Sequence, residues 1–179
     1  MHKKFFAALC GAVLAVPLAS HAEGSYVKLG VGSSEYKNHV GSENKTAVDL
    51  AYGFSIDKNF GVEIGYINFG KYKEGDASYS NSIQRQAFYI AGVGSLPITD
   101  AFSVFAKLGI AANKYEQKFV SAGINESENV TKTTSMVGLG LAYNFTKEFA
   151  GTLEYQYFGK VGDDGIKASA ITAGVKYGF

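Results

Sequence analysis

The chain has 179 residues and a formal net charge of +1 at pH 7, so it offers no electrostatic case for binding nucleic acid. A single cysteine cannot build a disulfide framework, and a chain of this length suits one domain. Composition therefore excludes a disulfide-rich scaffold. The fold class has to be predicted from the pattern of residues along the chain.

Residues 1–22 have the pattern of a secretory signal peptide. Lys3 and Lys4 precede a short apolar run, and small residues including Ala22 stand where a signal peptidase reads. We expect cleavage near Ala22 and a mature domain of residues 23–179, without cysteine and with a net charge near −1. Beyond the leader no apolar run approaches the ~20 residues of a spanning helix, which leaves a soluble exported protein or a spanning β-barrel.

Eight segments of the mature chain alternate apolar with polar or small residues at the period of two that is typical of β-strands. In the last segment Ile171, Val175 and Phe179 share one parity, whereas Thr172 and Lys176 share the other. The fourth segment is apolar on both parities near its middle, so its inward register stays open. The predicted strands are residues 26–33, 46–54, 60–67, 83–95, 102–111, 136–143, 152–157 and 167–179.

The connections alternate between long and short. Short turns such as S-I-D-K-N and L-P-I-T-D follow the even strands, and polar stretches without a period follow the odd strands. We predict these stretches to be loops, at residues 34–45, 70–81, 114–130 and 159–166. The pattern predicts an all-β fold, an eight-stranded antiparallel transmembrane up-and-down β-barrel with periplasmic turns and termini and with external loops.

A soluble lipocalin-like barrel also has eight alternating strands, but it places the apolar face inside. Here the charged residues share a face with the glycines, while the opposite face is aliphatic in mid-strand and aromatic near the turns. That arrangement is typical of a membrane barrel, and charges in a small closed interior need partners. The predicted lumen ion-pair network, with three residues of each sign, is Lys28, Asp49, Glu63, Lys107, Glu154 and Lys176.

Catalytic and metal chemistry are not expected. The mature chain has one histidine, His39, in a predicted loop, and hydrolytic sites usually pair a histidine base with a nucleophile. One histidine without cysteine leaves no zinc site. We therefore predict no enzyme activity, no metal and no cofactor.

Three segments, N-F-G-V-E-I-G-Y, L-P-I-T-D-A-F-S-V-F-A-K-L-G and T-L-E-Y-Q-Y, resemble the transmembrane domain of the outer-membrane protein A (OmpA) family in order and spacing. The final V-K-Y-G-F, with Val175, Tyr177 and Phe179, is similar to the terminal signal that the barrel-assembly machinery recognises. The resemblance implies the eight-stranded fold and a Gram-negative outer-membrane location. Because the chain stops at Phe179, we expect it to lack the family's peptidoglycan-binding domain, like small surface barrels of the opacity and OmpX/Ail type.

The family also has an interior ion-pair gate. Glu63 matches its acidic member, and Lys107 matches a basic lumen residue of the fifth strand. Its other switching positions fall on Val93, Ala142 and Thr152, which carry no charge. The resemblance thus favours Glu63 with Lys107 as the surviving pair and implies that the full gate is absent.

These observations predict a structural and surface-interaction barrel, adhesin-like or supporting envelope integrity, whose lumen is plugged by paired charges. The expected partners are outer-membrane lipid and lipopolysaccharide, the assembly machinery, and a host or matrix ligand at the four predicted loops. Two alternatives stay open: a small porin or narrow channel, because interior glycines leave room for water, and a lipid-modifying outer-membrane enzyme.

Overall fold

The computed structural model describes residues 24–37, 42–76, 79–121, 124–161 and 166–179, so the predicted leader and His39 lie outside the described residues. Eight antiparallel strands pair in chain order, and the last strand pairs back onto the first to close a barrel. The predicted fold class is confirmed. The strands are β1 (Ser25–Lys37), β2 (Ser42–Ser55), β3 (Phe60–Asp76), β4 (Tyr79–Pro97), β5 (Phe102–Ser121), β6 (Ile124–Asn144), β7 (Phe149–Val161) and β8 (Ile166–Gly178).

The side chains alternate across the wall as the sequence predicts. Leu139 is 61% exposed on the outside, whereas Met136 is fully buried on the inside. The sequence did not decide which residues of β4 face inward. In the structure Arg85 and Tyr89 face inward and Ile90 faces outward. Exposed aliphatic side chains cover the outer wall, which matches a lipid-facing surface. Within the described residues no helix is long and apolar enough to cross a membrane.

Short turns connect the strands at the end of the barrel where both described termini meet. The Phe179 amide donates to the Ser25 carbonyl at 3.0 Å. Each turn is capped by a side chain near its start: Asp57 Oδ1 accepts from the Phe60 amide at 2.8 Å, and Thr99 Oγ1 accepts from the Phe102 amide at 3.0 Å. These caps satisfy backbone amides that make no hydrogen bond between the strands.

The four predicted loops are wrong in extent, because most of their residues belong to strands. The described residues within 34–45, 70–81, 114–130 and 159–166 instead continue the hairpins, whose last described pairs are Lys37–Ser42, Asp76–Tyr79, Ser121–Ile124 and Val161–Ile166. The backbone ladder extends past the lipid-facing wall, where no apolar face is needed. Alternation therefore fades while hydrogen bonding between the strands persists.

Two β-bulges mark where the closed wall ends. In β3, Phe69 and Gly70 lie opposite the single residue Arg85, and Gly70 has φ 85°. In β7, Phe158 and Gly159 form the corresponding register shift, with φ 72° at Gly159. Positive φ favours glycine because a Cβ there is strained. Both bulges begin a stretch that the sequence predicted to be loop.

Beyond the bulges the barrel wall divides into two sheets. The register between β2 and β3 ends at the Val48–Asn68 pair, and that between β6 and β7 ends at the Val137–Tyr157 pair. Strands β3 to β6 continue as one protruding sheet, which we name the upper sheet, while β7, β8, β1 and β2 form the other. The upper sheet stands on the side opposite the short turns.

Candidate functional site

The lumen holds a charged cluster that five strands assemble. Strand alternation directs one charged side chain inward from each of β1, β2, β3, β5 and β7. All five are at most 2% exposed: Lys28, Asp49, Glu63, Lys107 and Glu154.

Lys28 contacts three carboxylates. Its Nζ lies 2.8 Å from Asp49 Oδ2 and 2.5 Å from Glu154 Oε2. A third contact, to Glu63 Oε1, is longer at 3.5 Å. The lysine of β1 is therefore shared between acids of β2, β3 and β7.

Lys107 closes a ring of alternating charge. Its Nζ lies 2.5 Å from Glu63 Oε1 and 2.7 Å from Glu154 Oε1. Together with Lys28, the two glutamates and two lysines form a four-membered ring, with Asp49 attached to Lys28. Such mutual pairing offsets the desolvation that each buried charge would otherwise suffer.

Two tyrosines and a glutamine, which the sequence reasoning missed, add hydrogen bonds to the cluster. The Tyr26 hydroxyl donates to Glu63 Oε2 at 2.8 Å. The Tyr89 hydroxyl lies 2.9 Å from Glu63 Oε1 and 3.0 Å from Asp49 Oδ1, and Gln156 Nε2 donates to Asp49 Oδ2 at 3.2 Å. Inward parity was a usable signal for Tyr26 and Gln156. The apolar run around Tyr89 concealed its direction.

Lys176 is not part of this ring. Its Nζ lies 5.1 Å above the ring of Tyr26, whose hydroxyl donates to Glu63. The ion-pair ring of the two lysines and two glutamates, together with Asp49, has two ammonium groups and three carboxylates. The prediction that Lys176 belongs to the ion-pair network therefore differs from the structure, which places its ammonium against the aromatic face of Tyr26.

Glycines of β6 provide the space in which the cluster forms. A Cβ at Gly138 would lie 3.2 Å from Glu154 Oε1 and 3.3 Å from Lys107 Cβ. A Cβ at Gly140 would overlap the ring of Phe105, its partner on β5. The sixth strand therefore contributes room rather than a charged group, as its glycines predicted.

A second polar layer lies toward the upper sheet. Arg85 Nη2 donates to Asn113 Oδ1 at 3.0 Å, and Asn113 Nδ2 donates to Thr134 Oγ1 at 2.8 Å. Phe69 and Phe158, the bulge aromatics, pack edge to face with centroids 5.1 Å apart. Side chains therefore fill this level of the lumen as well. Within the described residues no cluster of histidine, cysteine and acidic side chains could hold a metal ion.

The sequence of the barrel matches the model of one protein family. The OmpA-like transmembrane domain matches residues 20–179. The chain belongs to this family. The curated relatives are outer-membrane proteins, and the chain is accordingly a Gram-negative outer-membrane barrel.

The relatives are distant in sequence. Outer membrane protein A of Klebsiella pneumoniae is 27% identical over 139 residues, which cover 71% of this chain and 39% of that protein. Outer membrane protein A of Serratia marcescens is 23% identical over 165 residues, which cover 86% of this chain and 46% of that protein. The chain thus spans less than half the length of these relatives.

Solved structures share the fold. The attachment invasion locus protein Ail of Yersinia pestis, in complex with the heparin analogue sucrose octasulfate, has a TM-score of 0.68 at 22% identity, covering 88% of this chain and 99% of Ail. Neisserial surface protein A has a TM-score of 0.67 at 18% identity, covering 89% of this chain and 100% of that protein. At these identities the likeness concerns the fold alone.

The structure places four of the positions that the resemblance assigned to the OmpA-family gate. Glu63 and Lys107 are in direct contact. Ala142 and Thr152 face inward, 3% and 9% exposed, and carry no charge. In this OmpA-like barrel Lys28, on β1, is the second basic group that bridges the two glutamates.

Proposed function

We propose that this OmpA-like barrel is a structural protein of the outer membrane that presents its upper sheet to an extracellular partner. The observation that carries the proposal is the length of that sheet beyond the bulges. Residues 124–136 of β6 continue past the last pair with β7. At about 3.3 Å per residue they reach on the order of 40 Å along the strand.

The upper sheet also has edges at which a partner strand could pair. Among the described residues, the register gives β6 no partner on its β7 side beyond the Val137–Tyr157 pair. Residues 71–76 of β3 pair with β4 but have no register partner in the described part of β2. An unpaired edge is a template for strand addition, in which backbone hydrogen bonds give affinity. The proposed contact region is this sheet rather than the four predicted loops.

The structural neighbours support a surface role. Ail is an attachment invasion locus protein solved with a heparin analogue, and the Neisserial neighbour is a surface protein. We extend that role to this chain as a proposal. No enzymatic role is proposed.

Assembly and maturation belong to the same proposal. Val175, Tyr177 and Phe179 lie on the outer face of the wall, 52%, 43% and 47% exposed, where the barrel-assembly machinery could read them. Signal-peptide cleavage near Ala22 would precede that step. Lipopolysaccharide is the proposed lipid partner around the upper wall.

Trimming the upper sheet tests the surface role. One variant replaces residues 72–83 and 117–128 each by Asn-Gly, so that the Lys71–Gln84 and Glu116–Asn129 pairs close two-residue turns. Cells that display the wild type or the variant are applied to immobilised heparin, collagen, fibronectin and laminin. We expect the wild type to bind at least one surface and the variant to lose at least tenfold in bound cells.

A matched control trims the other sheet. It replaces residues 37–42 by Asn-Gly, which the Tyr36–Glu43 pair closes, and it should bind as the wild type does. Gel mobility of unheated samples verifies that each variant is folded. A trimmed upper sheet that binds normally, an equal loss in the control, or a wild type that binds no surface contradicts the proposal.

A further inference from the structure

The backbone groups of β6 alternate in direction along the upper sheet. In an antiparallel sheet the N–H and C=O of one residue face one neighbouring strand, and those of the next residue face the other. The Asn144 amide donates to the carbonyl of Ala101, just before β5. The Ser135 carbonyl oxygen lies on the β7 side, 3.2 Å from where a Cβ at Gly159 would lie. Since the β5–β6 register is continuous, odd-numbered residues of β6 face β7 and even-numbered residues face β5.

The edge of β6 is unpaired at Thr131 and Thr133. In the described part of the chain β6 has no register partner on its β7 side above Val137. The backbone groups of Thr131 and Thr133 face that side, about 7 Å apart along the strand. Those of Lys132 face its β5 partner, Asn113. A second extended polypeptide presents complementary N–H and C=O groups at the same interval, so this edge suits an added strand.

The side chains at this edge indicate the chemistry of the added strand. Four consecutive residues are exposed, and three of them are β-branched: Val130, Thr131, Lys132 and Thr133. Lys132 is the only charged residue of the four. Because opposite charges attract across a strand pair, an acidic residue beside Lys132 would stabilise the added strand. A sulfated glycan is bound instead by a cluster of basic residues, and this segment has one.

We propose that the β6 edge at Thr131 and Thr133 binds an extended acidic polypeptide segment as an added strand. The backbone of the segment pairs with the two threonines, and one of its carboxylates contacts Lys132. The inference rests on the proposed function, because it names the partner of the upper sheet. It assigns the contact to one edge of that sheet and to the backbone of that edge.

The test measures binding of three fluorescent peptides to the full mature protein, folded in detergent, by fluorescence anisotropy. The acidic peptide is T-V-T-E-T-V-T, whose valines and glutamate share one face of a strand. The basic peptide has lysine in place of the glutamate. The blocked peptide is the acidic one with N-methyl groups at its third and fourth residues, which removes an N–H from each of its edges. We expect the wild type to bind the acidic peptide at least fivefold more tightly than either of the other two.

A proline variant tests the unpaired edge without altering the paired one. Thr133→Pro removes an N–H that faces the unpaired side, and proline is tolerated at such positions of edge strands. We expect it to weaken binding of the acidic peptide at least tenfold. The matched control Thr133→Val keeps the backbone donor and a β-branched side chain, so it should change binding less than twofold. Lys132→Glu should reverse the preference, so that the basic peptide binds more tightly than the acidic one.

Four results would overturn the inference: a wild type that does not bind the acidic peptide, equal binding of the blocked peptide, unchanged binding in Thr133→Pro, or an unchanged preference in Lys132→Glu. Thr131→Pro, which removes the other unpaired N–H, replaces Thr133→Pro if gel mobility shows that the latter does not fold. Heparin is titrated in parallel, and a wild type that binds heparin but no peptide assigns the upper sheet to a glycan instead. Peptide binding is measured without cells or matrix protein, so failure of this inference is distinguishable from failure of the surface-interaction proposal.

Discussion

Glu63 is the residue on which the lumen cluster depends most. It contacts both lysines of the ring and both tyrosine hydroxyls. Parity in the sequence was sufficient to place it inside, and the family resemblance was sufficient to suggest Lys107 as its partner. Neither parity nor the resemblance could predict the four-membered ion-pair ring. The contacts among inward side chains depend on the stagger of the strands and on the space left by Gly138.

Removing Glu63 should therefore destabilise the barrel strongly. Glu63→Ala leaves Lys107 with one carboxylate partner and Lys28 with two, in a buried setting. We expect a loss of roughly 3–5 kcal/mol in the free energy of unfolding. Urea titration in detergent micelles measures it. Asp100→Ala, at an exposed turn position, should change stability by less than about 0.5 kcal/mol, and equal effects at the two sites would refute the cluster's role.

Lipid exposure is the other residue-scale property that can be tested. Leu139 and Thr133 lie on the outer face of the same strand, but Thr133 is nearer the upper end. Leu139→Arg should cost roughly 2–4 kcal/mol if Leu139 lies near mid-bilayer, and Thr133→Arg only about 0–1 kcal/mol near the interface. Unfolding in phospholipid vesicles compares the two. A larger cost at Thr133 would mean that the assumed membrane position is wrong.

At the scale of the elements, the sequence predicted strands only where lipid imposes a pattern. The short turns were predictable because their capping residues and the flanking alternation coincide. The upper hairpins were predicted as loops because their sequences are largely polar and lack a period of two. Pairing of the backbone alone does not require such a period. The sequence predicts loops that begin at Gly70 and Gly159, but each glycine belongs with the preceding phenylalanine to a bulge within a continuing strand.

The bulge glycines should accordingly be intolerant of a side chain. Gly70 has φ 85°, and a Cβ there would lie 2.8 Å from the Thr46 carbonyl oxygen. Gly70→Ala should lower the free energy of unfolding by roughly 1–3 kcal/mol. Gly92→Ala is the control, because the nearest atom to its added Cβ is 3.8 Å away, and it should be neutral or slightly stabilising. A tolerated alanine at Gly70 would show that the bulge can relax.

For the whole molecule, the contrast between a lipid-facing wall and a polar lumen explains why the sequence predicted the fold but not the contacts of the interior. Lipid outside requires apolar residues at every second position of every strand, so eight weak signals reinforce one another. Inside, a barrel of eight strands is just wide enough for side chains to fill, so many combinations of charge, hydroxyl and glycine satisfy the same space. For this reason the sequence did not predict that Tyr89 points inward or that Lys176 lies beside Tyr26.

A filled lumen should conduct ions poorly. The ring of Lys28, Glu63, Lys107 and Glu154 joins β1, β3, β5 and β7, every second strand of the closed barrel, and the layer of Arg85 and Asn113 lies above it. We expect planar-bilayer recording of the wild type to show no large steady openings. A double variant, Glu63→Ala with Lys107→Ala, removes one positive and one negative side chain, so it enlarges the lumen without changing its net charge. It should open a water path and raise the conductance severalfold.

The matched control for that recording keeps the lumen and alters a turn. Asp100→Ala with Lys147→Ala likewise removes one charge of each sign, at exposed positions of two turns, and it should stay closed. Large steady openings in the wild type would refute the plug and favour the narrow-channel alternative. A double lumen variant that folds yet stays closed would place the barrier elsewhere, with the Arg85 layer and the bulge aromatics Phe69 and Phe158 as the next side chains to remove.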